Sequence, residues 1–434
     1  MRTLLTLCVC TLLLWGCGDD RPEPTLKLEK DDTIALIGGN LCSRMSYFGY
    51  FETAVYQDYP DLNLRFRNMC DPGNTAGFRP HSSRISPWAF DGADAYNQGV
   101  SRPTDSQGRF PTEDQWLDSI DADVVLAFFG YSESFNGKKG LTNFALEIDS
   151  FIKHTQAQQY NNTSAPELVL VSPLAFEDQS GREDYDLPDG AEANKNLELY
   201  TRAMGDMAAD NGVTFIDLYT VSKGWFDAGE KLTTDGISLN AEGYEKLASF
   251  LSDQLFGIHP DAVDEQLRAD VNDKNYFWLT DFKMPNGVHV YGRRFEPYGP
   301  DNYPYEIEKV RQMTRNRDEL IWAHLGGERF DLAQRDAETV ELPPVETNYA
   351  LEEPEDVRYL YGEEALASFT TAPGYKIELF ASEQDFPELA NPAQMNFDNQ
   401  GRLWVACMPT YHHCKPGDAR PDDKLVILED RQGR

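Results

Sequence analysis

Five short apolar runs, each ending at a glycine or a polar turn, constrain the fold more than any other feature of the sequence. They lie at 33–37, 62–67, 124–129, 168–171 and 213–216. Runs of this kind are typical of strands that are buried on both faces. Segments of helical character fill the gaps between them, at 45–59, 141–158, 191–211 and 241–256. The alternation predicts an α/β fold, a three-layer αβα sandwich around a parallel sheet with right-handed crossovers.

The turns after the strands are where chemistry is expected, because open parallel sheets bind ligands at the carboxyl ends of their strands. The first turn, Gly38-Gly39-Asn40, lacks the GxGxxG spacing of a dinucleotide-binding loop. We therefore interpret its glycines as the requirement of a tight strand-to-helix turn.

The net charge of the chain argues against partners that are themselves strongly negative. The 434 residues include 39 Lys and Arg against 73 Asp and Glu, a net charge of −34. Nucleic acids and anionic membrane surfaces are bound through basic surfaces, so neither is an expected partner of this chain. Hydrophobic residues make up 41% of the sequence, which is enough for a packed core and argues against disorder over the whole length.

The N-terminus resembles a bacterial lipoprotein signal peptide. Arg2 precedes an apolar run at 4–15 that is too short to span a bilayer. Gly16-Cys17 follows, as in a lipobox, where the cysteine carries the lipid. The resemblance predicts a signal peptide at 1–16, a polar tether at 17–31, and an exported lipoprotein anchored in the membrane through Cys17. The protein is then expected in the periplasm or on the cell surface.

Export predicts that the remaining cysteines form disulfides, because disulfides persist in oxidising compartments. Four cysteines remain after the lipidated one, at Cys42, Cys70, Cys407 and Cys414. Their positions favour two disulfides, 42–70 and 407–414.

Four of the turns resemble, in order and context, the four blocks of the SGNH (GDSL-type) esterase family. They are at 37–41, 67–73, 129–134 and 234–240, and the segment TTDGISLNAEGYEKLA is similar to the family's closing strand-to-helix segment. The resemblance covers 32–258 and implies the αβα sandwich of that family. It places the nucleophile on Asn40, the two oxyanion-hole positions on Cys70 and Ser132, the general base on Ser238 and the carboxylate that supports the base on Asp235.

These substitutions favour a domain that does not hydrolyse esters. An amide does not act as an acyl-accepting nucleophile, and a serine at the base position does not take up a proton as imidazole does. The resulting prediction is a binding or accessory domain, with a polysaccharide or a glycan ester as the expected ligand. The alternative is an active carbohydrate esterase or deacetylase with rearranged residues, such as His81 as base and Ser43 or Cys42 as nucleophile. In either case, a Cys42–Cys70 disulfide is expected across the mouth of the former oxyanion hole.

Beyond 258 the composition changes. Residues 259–341 are rich in charge and aromatics and are predicted to be a helical extension packed on the first domain. We considered a carbohydrate platform at Tyr276, Phe277 and Trp278, and core packing is the preferred interpretation. Residues 342–368, with several prolines and glutamates, are predicted to be a linker.

From 369 to 434 the pattern becomes all-β, with strand-like alternation and a turn at 398–401. The segment NPAQMNFDNQGRLWVACMP resembles the first blade of the sugar-dehydrogenase-like β-propeller in planctomycete-type membrane-bound dehydrogenases. In that family an SGNH-like domain comes first and a haem-binding CxxCH module last. Since a propeller needs typically about 4–8 blades, the resemblance implies an incomplete propeller and a truncated chain.

No cofactor is predicted for this chain. It has no CxxCH motif, so haem c and a dehydrogenase cofactor are expected only in a full-length parent. His412, His413 and Cys414, together with Cys407, have side chains that can ligate a metal. A local disulfide or a plain loop is the preferred interpretation, because four preorganised ligands are not evident.

Overall fold

The computed structural model describes residues 25–81, 83–97, 108–181, 187–257, 262–284, 287–297, 299–344, 359–410, 414–429 and 431. The predicted signal peptide, Cys17, His412 and His413 lie outside these residues. The chain divides into two compact units. The first contains the chain up to Gly299 together with Met313–Arg335, and the second contains Pro300–Gln312 and Asp336–Arg434. Helices of the predicted extension contribute to both.

The first unit is built on a five-stranded parallel sheet, which confirms the predicted α/β fold. Its strands are β1 (Thr33–Gly38), β2 (Arg65–Asn68), β3 (Val124–Phe128), β4 (Glu167–Val171) and β5 (Thr214–Ile216), in the order β2-β1-β3-β4-β5. Gly38 ends β1 with a φ of +142°, and a Cβ there would collide with the carbonyl oxygen of Phe128 on β3. Close strand approach thus explains this glycine.

Helices cover both faces of the sheet. The chain forms α1 (Asn40–Phe48), α2 (Tyr50–Asp58), α3 (Glu113–Ser119), α4 (Tyr131–Ser134), α5 (Gly137–Gln156), α6 (Ala191–Asn211), α7 (Leu218–Asp227), α8 (Ala241–Phe256), α9 (Glu265–Phe282), α10 (Gly287–Val290), α11 (Gly299–Leu325), α12 (Leu332–Ala337) and α13 (Gly362–Ser368). One core includes Leu126 with side chains of α2 and α8, and the other includes Val125 with side chains of α5 and α6. Adjacent strand residues point to opposite faces, so the sheet separates two apolar cores.

Side chains from α9 and from the first-unit part of α11 cover the open edge at β2. The carbonyl oxygens of Leu64, Phe66 and Asn68 accept hydrogen bonds from Trp322 Nε1 at 3.0 Å, Lys274 Nζ at 3.1 Å and Trp278 Nε1 at 2.7 Å, respectively. An uncovered strand edge would offer these acceptors to another chain. Trp278 is buried in this role, in keeping with core packing rather than an exposed carbohydrate platform.

The second unit contains a three-stranded antiparallel sheet of β6 (Pro392–Phe397), β7 (Leu403–Cys407) and β8 (Lys424–Leu428), with β7 in the centre. Its buried apolar cluster is small and consists of Leu389, Leu403, Val405 and Cys407. Cys407 is buried, Cys414 is exposed, and both are free thiols, so the structure does not contain the predicted 407–414 disulfide. The assignment of this sheet to a propeller blade stays a prediction.

Candidate functional site

The loops after four neighbouring strands enclose a cavity of about 100 Å³ at the carboxyl edge of the sheet. Gly39 and Asn40 follow β1, Gly73 and Asn74 follow β2, Tyr131 and Ser132 follow β3, and Ser172 to Leu174 follow β4, with Ile237 completing the wall. The location agrees with the general position of ligand sites in open α/β sheets. We call this the first cavity.

Two of the residues singled out in the sequence, Asn40 and Ser132, line the first cavity. Asp235 and Ser238 lie on either side of Ile237, in the loop that contributes to its wall. Cys70 does not line it, and its amide donates to Asn68 Oδ1 at 3.0 Å. Cys70 therefore cannot supply the oxyanion-hole amide that the resemblance assigned to it. Gly73 and Asn74 line this side of the cavity instead. The feature of the sequence that could have indicated them is the glycine of the Asp-Pro-Gly-Asn turn.

The disulfide between Cys42 and Cys70 joins the start of α1 to the end of β2, with the two Cα atoms 5.9 Å apart. Both residues are fully buried, so the bond lies beneath the loops. The expected position across the mouth of the cavity is therefore wrong. Asn68 Nδ2 donates to the carbonyl oxygen of Cys42 at 2.7 Å. The bond thus holds the base of two cavity loops together, and Cys42 has no thiol that would act as a nucleophile.

The carboxylate of Asp235 is bound by its own loop. Its Oδ1 accepts from the amides of Ile237 at 3.0 Å and Ser238 at 2.7 Å, and its Oδ2 accepts from the hydroxyl of Ser238 at 2.8 Å. Partial burial alone would raise the pKa of Asp235, but these hydrogen bonds and the charge of Arg44 outweigh burial and lower it. The residue is an ionised, structurally satisfied carboxylate, and its partner is a hydroxyl instead of an imidazole.

None of the described residues that line the first cavity is a histidine. His81 belongs to a separate small cavity with Arg84 and Lys283, where its ring stacks on Phe110 with the ring centroids 3.6 Å apart. Burial and the nearby Arg84 charge lower the pKa of His81 to about 4, so the ring is neutral at pH 7. The structure does not bring His81 into the first cavity as a general base.

Ser43, the other candidate nucleophile, is buried on α1 and does not line the first cavity. Its Oγ accepts from Lys283 Nζ at 2.9 Å, and the same ammonium group donates to Asp71 Oδ1 at 2.9 Å. Because Lys283 is the cationic partner of a carboxylate, the pair is a structural contact rather than a nucleophile with its base.

Two buried acids support the cavity, and the sequence analysis missed both. Glu133 accepts from the amides of Gly130 at 3.0 Å and Ala76 at 3.4 Å. Glu147 accepts from the amide of Gly77 and the side-chain amide of Asn97, each at 2.9 Å. Burial, with the proximity of Glu147, raises the pKa of Glu133 to about 7, and burial raises that of Glu147.

Glu133 ties the turn that carries Ser132 to the loop that carries Asn74, and Glu147 ties α5 to the end of the same loop and to Asn97. The signal for Glu147 was its place on the apolar face of α5, three residues after Phe144 and next to Ile148, where a carboxyl group is unexpected.

Within the residues that the structure describes, no group of three or more His, Cys, Asp or Glu side chains could hold a metal ion. Likewise, no helix in this part of the chain is long and apolar enough to cross a membrane.

Residues 362–433 match a family described as a domain of unknown function, DUF7133. No curated protein matches the chain. Among solved structures, similarity extends to LAE5, an alpha/beta hydrolase enzyme from the metagenome of Lake Arreo, Spain, with 12% identity, 52% of this chain and 96% of that chain covered, and a TM-score of 0.36.

The lipase/acylhydrolase from Enterococcus faecalis has 17% identity, coverage of 54% and 100%, and a TM-score of 0.34. A catalytic mutant of Axe2, an acetylxylan esterase from Geobacillus stearothermophilus, has 15% identity, coverage of 53% and 97%, and a TM-score of 0.36. At these identities and TM-scores the similarities assign neither residues nor activity to this chain.

Proposed function

We propose that the first unit is a ligand-binding domain related to SGNH-type hydrolases that does not hydrolyse esters. The observation that carries this proposal is the loop of Asp235, whose carboxylate is satisfied by Ser238 where a hydrolase of this type needs an imidazole. The nucleophile position holds the amide of Asn40. Nucleophile and base are thus both missing, and no described histidine lines the cavity to replace the base.

The lining of the first cavity favours an uncharged polar ligand. Asn40, Asn74 and Ser132 offer groups that both donate and accept hydrogen bonds, and Phe129 and Tyr131 offer apolar ring surface. A sugar has this combination of hydroxyl groups and apolar C–H faces. We therefore propose a carbohydrate, free or esterified, as the ligand class.

The setting of this domain is proposed from the sequence. The lipobox-like Gly16-Cys17 supports an exported lipoprotein that is anchored in the membrane through Cys17. The resemblance of 369–434 to a dehydrogenase blade supports an accessory role for the first unit within a larger dehydrogenase-like protein.

Hydrolysis of p-nitrophenyl acetate by the full chain tests the absence of catalysis. We expect the wild-type rate to equal that of the Asn40→Ala variant. The double variant Asn40→Ser/Ser238→His places a hydroxyl at the start of α1 and an imidazole beside Asp235. We expect it to hydrolyse the ester at least about 100-fold faster than Asn40→Ser alone, since a positioned general base contributes about 10²–10⁴ in rate.

The matched control is Asn40→Ser/Ser238→Ala, which has the hydroxyl without the base and is expected to stay at the background rate. Wild-type turnover that disappears in both Asn40→Ala and Asp235→Ala would refute the proposal and establish the alternative, an active esterase with rearranged residues.

A further inference from the structure

A second and larger cavity, of about 550 Å³, adjoins the first one and shares Ser132 and Glu133 with it. Its other walls include the end of the short 3-10 helix Ala93–Tyr96, with Asn97 after it, and the first turns of α5. The volume lies within the range of roughly 300–1,000 Å³ that is usual for small-molecule sites.

The side chains of the second cavity combine amides with aromatic rings. Asn97, Asn136 and Asn143 line it together with Phe78, Tyr96, Phe144 and Tyr200. Asn143 donates through Nδ2 to the carbonyl oxygen of Tyr96 at 2.6 Å, which leaves its own carbonyl oxygen as an acceptor. Asn136 and Lys139 are exposed at the rim. Within the part of the chain that the structure describes, neither side chain has a hydrogen-bond or ion-pair partner, so both keep free donors.

The two acids of the second cavity do not make it a cation site. Both oxygens of Glu133 accept backbone amides, and Glu147 holds the amides of Gly77 and Asn97. Burial raises the pKa of each acid, which disfavours the charged forms that a cation would require. A polyanion is equally disfavoured by the net charge of −34.

An exposed aromatic side chain follows the helix that contributes to both cavities. Helix α4 contributes Tyr131 to the first cavity and Ser132 and Glu133 to both. Phe135 follows at the end of this helix and is 76% exposed, with its ring edge-on to Tyr131 at a centroid distance of 5.4 Å. Phe135 thus contacts Tyr131 of the first cavity and directly precedes Asn136 of the second. Its exposed ring offers a stacking surface to a ligand that extends from one cavity into the other.

We infer that the second cavity is an additional subsite for an oligosaccharide, which extends from the first cavity across Phe135 toward Asn136 and Asn143. This inference rests on the proposed carbohydrate-binding function and specifies its ligand as longer than one sugar. The sugar ring over Phe135 would stack through its C–H face, and the amides of Asn136 and Asn143 would bind hydroxyl groups of the next ring.

Calorimetric titration of the full chain with defined sugars tests the inference. The probes are xylose, glucose, mannose and N-acetylglucosamine, each compared with its β-1,4-linked di-, tri- and tetrasaccharide. In at least one series we expect the affinity to rise about tenfold or more from monosaccharide to tetrasaccharide, equivalent to about 1.4 kcal/mol. We expect Phe135→Ala and Asn136→Ala to remove most of this increase. Leu146→Ala, exposed on α5 but outside both cavities, is the matched control and should retain it.

The outcomes separate this inference from the proposed function. Sugar binding whose affinity does not depend on chain length, or whose length dependence survives Phe135→Ala and Asn136→Ala, would overturn the second subsite and leave the non-hydrolytic binding domain intact. The absence of binding in all four series would overturn the subsite as well. Ester turnover that depends on Asn40 and Asp235 would refute the proposed function alone, because it does not alter the dependence of affinity on chain length.

Discussion

Glu133 is the residue whose environment departs most from that of an ordinary carboxyl group at this site. It is buried, follows Ser132 in the chain and binds two backbone amides, those of Gly130 and Ala76. The amides favour the ionised form, but burial and the nearby Glu147 dominate and raise the pKa to about 7 from an ordinary value of 4.5. Near neutral pH, the loops around the first cavity are therefore held by an acid that is only partly ionised.

A pH dependence of stability follows. Between pH 4.5 and 7 the folded state binds more protons at Glu133 than the unfolded state does. The free energy of unfolding therefore falls as the pH rises through this window, by up to about 3 kcal/mol, and is level above it. Urea denaturation of the wild type and of Glu133→Gln, at intervals from pH 4.5 to 8, measures the effect.

The difference between the two proteins is the informative quantity, because it removes the slopes that carboxyl groups remote from Glu133 contribute to both. We expect wild type minus variant to decrease from pH 4.5 to 7. A difference that is constant across this range would show that Glu133 titrates as an ordinary glutamate. Since Glu133 and Glu147 interact, the measured midpoint belongs to the pair.

At the scale of single residues, motif order located Asn40, Ser132, Asp235 and Ser238 at or beside one cavity, because the order of parallel strands fixes which turns meet. The same reasoning placed the oxyanion-hole position of the second block on Cys70, which does not line the cavity, since sequence spacing does not show that the Cys70 amide already donates to Asn68.

At the scale of elements, the cover of β2 depends on a buried ion pair. Lys274 on α9 is fully buried and binds Glu52 on α2 as well as the carbonyl oxygen of Phe66. Asn275 donates to the other oxygen of Glu52 at 2.9 Å. Burial lowers the pKa of Lys274, and the charge of Glu52 opposes this. Removal of one partner would leave the other charged and unpaired in the interior.

We expect Lys274→Met to destabilise the protein by about 3–5 kcal/mol, the usual cost of an isolated buried charge. The double variant Lys274→Met/Glu52→Gln removes both charges and should recover most of this loss. Denaturant midpoints of the wild type and the two variants measure it, with circular dichroism to verify the fold.

Lys223→Met is the matched control, because Lys223 forms an exposed ion pair with Asp227 one turn along α7. Exposed pairs of this kind contribute about 0.2–1 kcal/mol, so a small effect is expected. A loss at Lys274 as small as that at Lys223, or a double variant as unstable as the single one, would show that the ion pair does not hold α9 in place.

Strand and helix positions were accessible from the sequence because they follow from local periodicity. The interpretation of 62–67 as a strand is close to β2 at Arg65–Asn68, since an edge strand alternates visibly. The side chains that cover the edge of β2 could not be predicted, because Lys274 and Glu52 are 222 residues apart in the chain and nothing in the sequence pairs them.

At the scale of the whole molecule, the two sheets differ in what surrounds them. β1, β3 and β4 have neighbouring strands on both sides and helices on both faces, and Leu36, Leu126 and Leu170 are at most 1% exposed. In the second unit β6 and β8 are edge strands, and Met395, Phe397 and Leu425 are 70%, 61% and 62% exposed. Three antiparallel strands with so small a buried cluster are close to the lower limit of independent stability.

We therefore expect the rates of hydrogen exchange at individual amides to differ between the two sheets. Amides of β1, β3 and β4 should exchange only through global unfolding of their unit, whereas those of β6 and β8 should exchange through local opening. We expect protection factors in β6 and β8 to be lower by at least about 100-fold, corresponding to about 2.7 kcal/mol. Mass-spectrometric exchange of the full chain at pH 7 measures both sheets in one sample.

Equal protection in β6, β8 and β3 would contradict this prediction. It would mean that the exposed apolar side chains of β6 and β8 are covered in solution, for instance by a second copy of the chain. Exchange at several protein concentrations separates these cases, because only cover by a second copy weakens on dilution.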